Sequence, residues 1–475
     1  MTAEAPKFGT SGLRGLVTAL TPACVGAYAR AFAAACPTGG AVHLGWDLRP
    51  SSGAIADAVG AALTAAGRDV VRHGVLPTPA LALAAGQAGQ AAIMITGSHI
   101  PADRNGLKFY TPHGEITKAD EAAILAHLGS PATGGAAGGA TGCAAGRVRE
   151  AGQDATDAYV ARYTRAFGPE ALAGLRIGVY QHSSAARDIL VTVSRALGAT
   201  AVPLARSETF VAVDTEAVDP ATRTRLAGWC RDLNLDAVIS ADGDADRPLV
   251  TDATGRVVPG DVLGPLTARL LGADTVCTPV SSNTLVTQLA DIGECHLTRI
   301  GSPFVIAAMD AALARAPDAR VVGYEANGGF LLGFAAQGPA GALPPLLTRD
   351  CLLPILAPLA LARRAGQGLA GLVATLPPVF TAADRLTGIA PEVSAPFLAT
   401  LQGDHGARAA FLADLGLEAG LDLTDGLRLH LQGGEIVHLR PSGNAPEFRC
   451  YTEAASPERA NDLLAACLDT LRARL

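Results

Sequence analysis

Three stretches of the chain repeat one order of elements: a short apolar strand, a polar loop, an amphipathic helix and a second strand. The first has a strand at 41–47, followed by a helix that carries Ile55 and Leu63 on one face. The same order recurs at 175–197 and at 275–292, where the helix is expected from 283 to 292. Repeated strand–helix units are typical of largely parallel sheets that pack against helices.

The rest of the chain does not follow this order. Residues 131–146, PATGGAAGGATGCAAG, are too rich in Gly and Ala to pack and are expected to form a linker or a surface insertion. Near the C-terminus, the pattern predicts paired strands at 427–431 and 435–439 and a helix at 457–475.

A chain of 475 residues is too long for a single hydrophobic core. The predicted fold class is α/β with four domains: three related α/β domains with mixed, largely parallel sheets, and a C-terminal α+β domain. The predicted boundaries are 1–150, 151–254, 255–368 and 369–475.

Composition excludes several classes of protein. With 49% hydrophobic and 17% charged residues the chain is globular, and its net charge of −7 excludes a broad nucleic-acid-binding surface. Small phosphorylated ligands are compatible with this charge if local arginines meet them. Nine dispersed cysteines without a CxxC pair, no signal region and no membrane-spanning run indicate a cytoplasmic protein with reduced thiols.

The run Asp242-Gly-Asp-Ala-Asp246-Arg247 places three carboxylates within five residues. Carboxylates this close raise one another's pKa unless a cation holds them, and Mg²⁺ prefers such oxygen ligands. A calcium loop of the EF-hand type is excluded, because its sixth and twelfth positions would be Arg247 and Ala253 instead of Gly and Glu. A solvated acidic turn is the alternative at this point.

Ser98 follows directly after the apolar strand 91–95, in the loop Thr96-Gly-Ser-His-Ile-Pro101. Side chains at such strand ends reach the mouth of an α/β sheet, where ligands bind; a capping serine is the alternative. Lys108 follows shortly after. The chain has 3 lysines against 34 arginines, which suggests that Lys108 is present because its amine can lose a proton.

Three further loops carry polar groups among glycines. Glu325 and Asn327 lie in GYEANGG, which suits sugar hydroxyls but is also typical of a turn. Arg440 begins RPSGNAPEFR, which predicts either an anion cradle or a plain hairpin loop. Arg14 is bracketed by glycines in GTSGLRG.

Taken together, these loops resemble those of the α-D-phosphohexomutase family, the phosphomannomutases and phosphoglucomutases. The matching motifs, in the family's order from Phe8 to Tyr451, are FGTSGLRG, TGSHIPADRNGLKFY, DGDADR, GYEANGG and RPSGNAPEFR. DGDADR is the most specific of them. The resemblance implies that the active site lies in a central cleft between four domains.

The resemblance also implies a role for each motif residue. Catalytic roles fall on Ser98, which would be phosphorylated, and on His99, Lys108, Arg14 and Arg247. One Mg²⁺ would be held by the phosphoserine with Asp242, Asp244 and Asp246. Substrate binding would fall on Glu325 and Asn327 for the sugar and on Arg440, Ser442, Gly443 and Asn444 for the distal phosphate.

The implied reaction interconverts hexose 6-phosphate and hexose 1-phosphate through a hexose bisphosphate, which also acts as activator. Mannose phosphate is the expected substrate, with glucose phosphate as a second. The alternatives are a phosphoglucosamine mutase, a phosphatase that uses Asp242 as nucleophile, and a non-enzymatic sugar-phosphate sensor. The expected partners are small hexose phosphates, with no nucleic acid and no membrane, and the chain is expected to be a monomer or homodimer.

The chain departs from the family's pattern in two loops. Phosphomannomutases commonly carry Glu-x-Ser-x-His in the sugar loop, whereas this chain has Gly329 at the position of the histidine. The serine loop has Gly97 where alanine is more usual and Ile100 where asparagine is common.

Overall fold

A computed structural model of the chain describes residues 5–9, 12–128, 144–441 and 447–475. Most of the predicted linker, residues 131–143, therefore lies outside the described residues. In the described part of the chain, no helix has both the length and the apolar character to cross a membrane.

The first unit contains a mixed sheet and four helices within the described residues. Its strands are β1 (Lys7–Phe8), β2 (Leu13–Leu16), β3 (Ala41–Trp46), β4 (Asp69–Val75), β5 (Ala91–Ile95), β6 (Arg104–Thr111), β7 (Gly114–Glu115) and β8 (Val148–Glu150). Its helices are α1 (Pro22–Ala35), α2 (Ser52–Ala65), α3 (Thr78–Gln87) and α4 (Lys118–Leu128).

The second and third units are built in the same manner. The second contains α5 (Asp154–Phe167), β9 (Arg176–His182), α6 (Arg187–Ala196), β10 (Thr200–Arg206), α7 (Pro220–Leu233), β11 (Ala237–Ala241), β12 (Pro248–Thr251) and β13 (Val257–Val258). The third contains α8 (Gly260–Leu271), β14 (Thr275–Pro279), a 3₁₀ helix (Thr284–Gln288), β15 (Glu294–Thr298), α9 (Ser302–Arg315), β16 (Val321–Tyr324), β17 (Phe330–Leu332), β18 (Ala336–Gln337), β19 (Ala342–Leu343), β20 (Leu346–Asp350) and α10 (Leu352–Arg364).

The three sheets share one internal strand order. It is β4-β3-β5-β6 in the first unit, β10-β9-β11-β12 in the second and β15-β14-β16-β17 in the third. In each case the first three strands are parallel and the fourth is antiparallel to the third. The predicted mixed, largely parallel sheets are confirmed. A hairpin therefore joins the third and fourth strands at an equivalent place in each unit.

One predicted helix is wrong. Within the segment 283–292 the structure has only the 3₁₀ helix Thr284–Gln288, whose N-cap is Asn283. Asn283 N donates to Asp261 Oδ2 at 2.9 Å, and Thr284 N donates to Glu453 Oε2 at 2.8 Å. Leu289 is already extended, so the segment closes one short turn and then continues to β15.

The fourth unit is of the α+β type. It contains α11 (Leu369–Val373), β21 (Phe380–Thr387), α12 (Pro391–Gly403), α13 (His405–Phe411), β22 (Glu418–Asp422), β23 (Leu427–Leu431), β24 (Ile436–Pro441), β25 (Glu447–Ala454) and α14 (Pro457–Arg472). The order of its antiparallel sheet is β21-β25-β24-β23-β22. The predicted strand pair is confirmed, with Leu427 opposite Leu439.

The buried apolar side chains form clusters of unequal size. One large cluster of buried side chains includes Leu81 of the first unit, Ile239 of the second and Tyr324 of the third. The fourth unit has a separate cluster, which includes Phe411 and Phe448. The first three units therefore share apolar packing, which also includes Leu369 and Leu372 of α11, whereas the antiparallel sheet of the fourth unit and α12–α14 have a core of their own.

Candidate active site

The equivalent hairpins of the first three units meet at one place. The Ser98 hydroxyl, in the β5–β6 hairpin, donates to Asp242 Oδ2 in the β11–β12 hairpin at 2.5 Å. The two loops are in close contact, since a Cβ added to Gly243 would lie 2.7 Å from the Ser98 carbonyl oxygen. Gly328, in the β16–β17 hairpin, packs against Pro248, the first residue of β12 in the second hairpin. The shared strand order brings together three loops that are far apart in sequence.

The backbone of the serine hairpin is strained. Ser98 has φ 57°, in the left-handed region that non-glycine residues rarely adopt, and its side chain is buried. The Thr96 hydroxyl accepts a hydrogen bond from Ser98 N at 2.8 Å and itself donates to Asp47 Oδ2 at 2.7 Å. These bonds hold the nucleophile candidate in the one orientation that faces Asp242.

Arg49 stabilises the same hairpin through hydrogen bonds to its backbone. Its guanidinium donates to four loop carbonyl oxygens, those of Ser98, Ile100, Pro101 and Arg104, at 2.5–3.0 Å. The guanidinium also pairs with Asp47 at 3.1 Å and lies 4.2 Å from the centre of the Phe210 ring of the second unit. A Cβ on Gly97 would lie 2.6 Å from Arg49 Cζ, which explains the glycine in the serine loop.

The carboxylates of the acidic loop fit a divalent cation. Asp242, Asp244 and Asp246 are buried and offer one oxygen each within 4.8 Å of one another. Oδ1 of Asp244 and Oδ1 of Asp246 are buried without a hydrogen-bond partner among the described residues. Unsatisfied oxygens of this kind are costly unless a cation binds them.

Electrostatics support the same fit. Burial, together with the charges of Asp244 and Asp246, raises the pKa of Asp242 to about 8. Burial opposes ionisation of Asp246 as well, but Arg349 and Lys108 hold the pKa of that carboxyl below its usual range. A cation would stabilise the ionised form of all three carboxylates, and metal binding would release the proton of Asp242.

Lys108 projects from β6 into the acidic loop. Its Nζ lies 2.6 Å from Asp244 Oδ2 and 2.5 Å from Asp246 Oδ2. Thr78, at the start of α3, donates from its hydroxyl to the same Asp244 oxygen, and its N–H donates to the Asp244 carbonyl at 2.9 Å. Two residues of the first unit, Lys108 and Thr78, therefore bond to carboxylates of the second unit.

His99 lies between Ser98 and Arg247. His99 Nδ1 accepts from Arg247 Nη1 at 2.8 Å and lies 3.4 Å from Ser98 Oγ. Burial and the adjacent Arg247 and Arg14 keep the pKa of His99 far below its usual range, so its imidazole is neutral. Burial and Arg247 lower the pKa of Arg14 to about 10, which leaves its guanidinium charged at neutral pH. The side facing Ser98 is therefore strongly cationic.

Glu325 and Asn327 are both buried in the β16–β17 hairpin. Asn327 Oδ1 accepts from Gly329 N at 3.0 Å, which fixes the turn. Glu325 Oε2 accepts from Arg349 Nη1 at 3.1 Å, and Arg349 Nη2 lies 2.8 Å from Asp246 Oδ2. A buried arginine therefore joins this loop to the acidic loop.

The predicted phosphate loop is described only in part. Arg440 lies in β24, where its Nε donates to Asp425 Oδ1 at 3.0 Å. Ser442, Gly443 and Asn444 lie outside the described residues, as do Thr10 and Ser11 of the N-terminal motif.

Three of the four units match models of one protein family. Models of the phosphoglucomutase/phosphomannomutase family match residues 5–133 as α/β/α domain I, 157–255 as domain II and 260–380 as domain III. The chain belongs to the phosphoglucomutase/phosphomannomutase family. Mg²⁺ dependence is typical of this family and agrees with the acidic loop.

Relatives within the family cover the whole chain. A phosphomannomutase from Sinorhizobium fredii is 47% identical over 479 residues, which span 99% of each chain. A phosphoglucosamine mutase from Saccharopolyspora erythraea is 32% identical over 94% of this chain and 95% of the relative. The crystal structure of a phosphoglucomutase/phosphomannomutase family protein from Burkholderia thailandensis has the same fold, with a TM-score of 0.74 at 19% identity over 98% of this chain and 97% of that one.

Motif reasoning missed three residues that build the site of this family member: Arg49, Thr78 and Arg349. Arg49 carries a signal in hindsight, because Asp47 and Arg49 directly follow a buried strand. Arg349 also does, since Arg349 and Asp350 interrupt the apolar run LLTRDCLLP. Thr78 lies in PTPA, which indicates only a helix start.

Proposed function

We propose that this chain interconverts hexose 6-phosphate and hexose 1-phosphate, with mannose phosphate as preferred substrate and glucose phosphate as a second. The observation that carries the proposal is the Ser98 hydroxyl bonded to Asp242 inside the acidic triad. A hydroxyl at 2.5 Å from a buried carboxylate becomes, when phosphorylated, an oxygen ligand at the same cation site.

The reaction needs positioning and charge neutralisation more than covalent work. The bond from phosphorus to Ser98 Oγ breaks while a bond to a sugar hydroxyl oxygen forms. The sugar hydroxyl gives up one proton and Ser98 Oγ takes up one, which leaves Ser98 as the hydroxyl that donates to Asp242. Arg247 and Arg14 would stabilise the charge on the transferring group, and neutral His99 would orient Arg247 through its Nδ1. Return of the second phosphate to Ser98 from the bisphosphate completes the cycle.

Mg²⁺, when bound by Asp242, Asp244, Asp246 and the phosphoserine, would neutralise charge on the phosphoryl oxygens. Lys108 is the group we assign to proton transfer from the sugar hydroxyl, because its buried Nζ lies at the acidic loop, next to which the sugar hydroxyl would meet the transferring group. Glu325 and Asn327 would bind the sugar hydroxyls, and Arg440 with Ser442, Gly443 and Asn444 would bind the distal phosphate.

The choice of mannose phosphate rests on similarity. The phosphomannomutase relative is 47% identical, whereas the phosphoglucosamine mutase relative is 32% identical. Asp242 is a poor nucleophile for the phosphatase alternative, since its Oδ2 is bonded to Ser98 and its Oδ1 accepts from the N–H groups of Asp246 and Arg247. The eight cysteines in the described residues are free thiols, which supports a cytoplasmic protein.

A substrate panel tests the proposal. Purified enzyme with Mg²⁺ and a trace of hexose bisphosphate is incubated with mannose, glucose and glucosamine 1-phosphates, and the 6-phosphates are measured. Turnover of the glucosamine compound alone would contradict the choice of substrate. Peptide mass spectrometry should place phosphate on Ser98, and S98A should lose both the modification and the turnover; an acyl phosphate on Asp242 would refute the mechanism.

A further inference from the structure

Arg349 joins three of the four units at one guanidinium. It projects from β20 of the third unit and is only 2% exposed. Its Nη2 lies 2.8 Å from Asp246 of the second unit, its Nη1 donates to Glu325 of the third at 3.1 Å, and its Nε lies 3.9 Å from Glu115 of the first. Arginine suits this place because its planar group can bond two carboxylates at once.

The stem of Arg349 fills the space beside Gly329. A Cβ added to Gly329 would lie 2.9 Å from both Cγ and Cδ of Arg349 and 3.1 Å from its Cβ. The backbone of Gly329 is outside the left-handed region, unlike that of Gly328 at φ 85°. A side chain at position 329 is therefore excluded by Arg349 itself and not by the backbone.

This arrangement accounts for the departure of the sugar loop from the expected pattern. The loop lacks a histidine at position 329, and the cation next to Glu325 comes from another strand. Glu115 extends the network, since its Oε2 accepts from the Ser302 hydroxyl at 2.9 Å and its Oε1 from the Thr348 hydroxyl at 3.2 Å. The carboxylates around Arg349 are thus held from several sides.

We propose that Arg349 is a positioning residue that fixes the Glu325 carboxylate for recognition of the sugar hydroxyls and ties its orientation to Asp246. The inference rests on the proposed function, in which Glu325 binds sugar. Arg349 acts through Glu325, because its guanidinium is buried and directed to carboxylates. Loss of the guanidinium leaves Glu325 free to turn and leaves buried charge uncompensated.

A double-mutant cycle tests this coupling without turnover. Affinity for mannose 1-phosphate is measured by calorimetry in magnesium-free buffer for the wild type, E325Q, R349Q and the double variant. Each single change should weaken binding roughly tenfold, the size expected for one hydrogen bond to a charged group. If Arg349 acts through Glu325, the double variant should bind no more than about twofold more weakly than either single variant.

Additive losses, near a hundredfold in the double variant, would overturn the inference. Wild-type affinity in R349Q, with E325Q weakened, would overturn it as well and leave the proposed function intact. Normal affinity in E325Q would instead refute the sugar-binding role of that loop, and absence of turnover in the wild type would refute the proposed function.

Two further variants keep the test decisive if R349Q folds poorly. G329A displaces the Arg349 stem and keeps every charge, so it should weaken binding about three- to tenfold, in proportion to the lost hydrogen bond. R408K is the matched control, because Arg408 is a buried arginine that pairs with Glu418 at 2.8 Å in the fourth unit. R408K should lower the melting temperature with unchanged affinity; wild-type affinity in G329A would overturn the inference.

Discussion

The side chains that orient Ser98 come from outside its own motif. Arg49 lies almost fifty residues earlier, and yet its guanidinium accounts for the shape of the serine hairpin through four carbonyl oxygens. The motif around Ser98 marks the nucleophile, but nothing in that motif shows which residue supports it. At Gly97, however, the residue type itself depends on Arg49, because the guanidinium leaves no room for a side chain there.

We expect G97A to impair both stability and turnover. The added methyl group would lie 2.6 Å from Arg49 Cζ, so the guanidinium must move and lose hydrogen bonds to the loop. The expected cost is about 1–3 kcal/mol of unfolding free energy, with a fall in kcat of tenfold or more because Ser98 loses its fixed orientation. Thermal melting and steady-state kinetics measure the two effects.

G53A is the matched control for that variant. Gly53 lies in α2, and a Cβ added there would meet nothing within 4 Å. Alanine has the higher helix propensity, so G53A should keep full activity and gain up to about 1 kcal/mol. Equal behaviour of the two variants would show that contact with Arg49 does not explain Gly97.

At the level of elements, the repeated strand order does most to place the site. Sequence patterns predict β5 and β11 well, because their apolar runs end in polar, glycine-containing loops. They do not predict that β20 lies beside β17, which brings Arg349 next to Glu325, since that pairing depends on tertiary packing. The helix predicted at 283–292 is reduced to one 3₁₀ turn, and the N–H groups at its start bond to α8 and to the fourth unit, which the sequence pattern does not show.

Asp261 links two of these elements and should make stability depend on pH. It lies in the first turn of α8 and accepts from Asn283 N. Burial, together with the nearby Glu216 and Glu453, raises its pKa to about 7. A carboxyl whose pKa is raised by folding contributes stability below about pH 4, and this contribution is lost as pH rises to 7.

D261N should therefore stabilise the protein more at pH 8 than at pH 5. The asparagine keeps an oxygen for the Asn283 N–H but carries no charge to bury. The advantage in melting temperature should grow by about 3–6 °C between the two pH values, equivalent to roughly 2 kcal/mol. Scanning calorimetry at both values measures it, and an advantage that does not change with pH would show that folding does not raise the pKa of Asp261 into this range.

In the whole molecule, the part of the fourth unit that follows α11 stands apart, because its sheet and α12–α14 have their own core. Among the described residues, few form hydrogen bonds between the fourth unit and the third. Glu453 accepts from Thr284 N, and Asp425 accepts from Ile300 N at 2.9 Å. A separate core joined through polar contacts is the arrangement expected of a domain that can move relative to the others.

E453A should separate the unfolding of the fourth unit from that of the other three. The change removes the acceptor of both the N–H and the hydroxyl of Thr284, at a cost of about 1–3 kcal/mol at the interface. We expect an additional, earlier transition in scanning calorimetry. E435A, which breaks the surface pair with Arg459 inside the fourth unit, is the control and should give a single shifted profile at most. One unchanged transition in E453A would show that this contact does not couple the units.

Metal binding should stabilise the assembled molecule, because the site joins its units. Asp244 accepts hydrogen bonds from Thr78 and Lys108 of the first unit and belongs to the acidic triad of the second. A cation bound there therefore strengthens the contact between the first and second units. At a Mg²⁺ concentration a hundred times Kd, the wild type should gain about 2.7 kcal/mol, seen as a rise in melting temperature that EDTA reverses. D244N should abolish this rise. D252N alters a buried aspartate whose side chain accepts from Thr254 and Arg256 of its own turn, so it should lower the melting temperature but keep the Mg²⁺ response. An unchanged Mg²⁺ response in D244N would place the cation elsewhere.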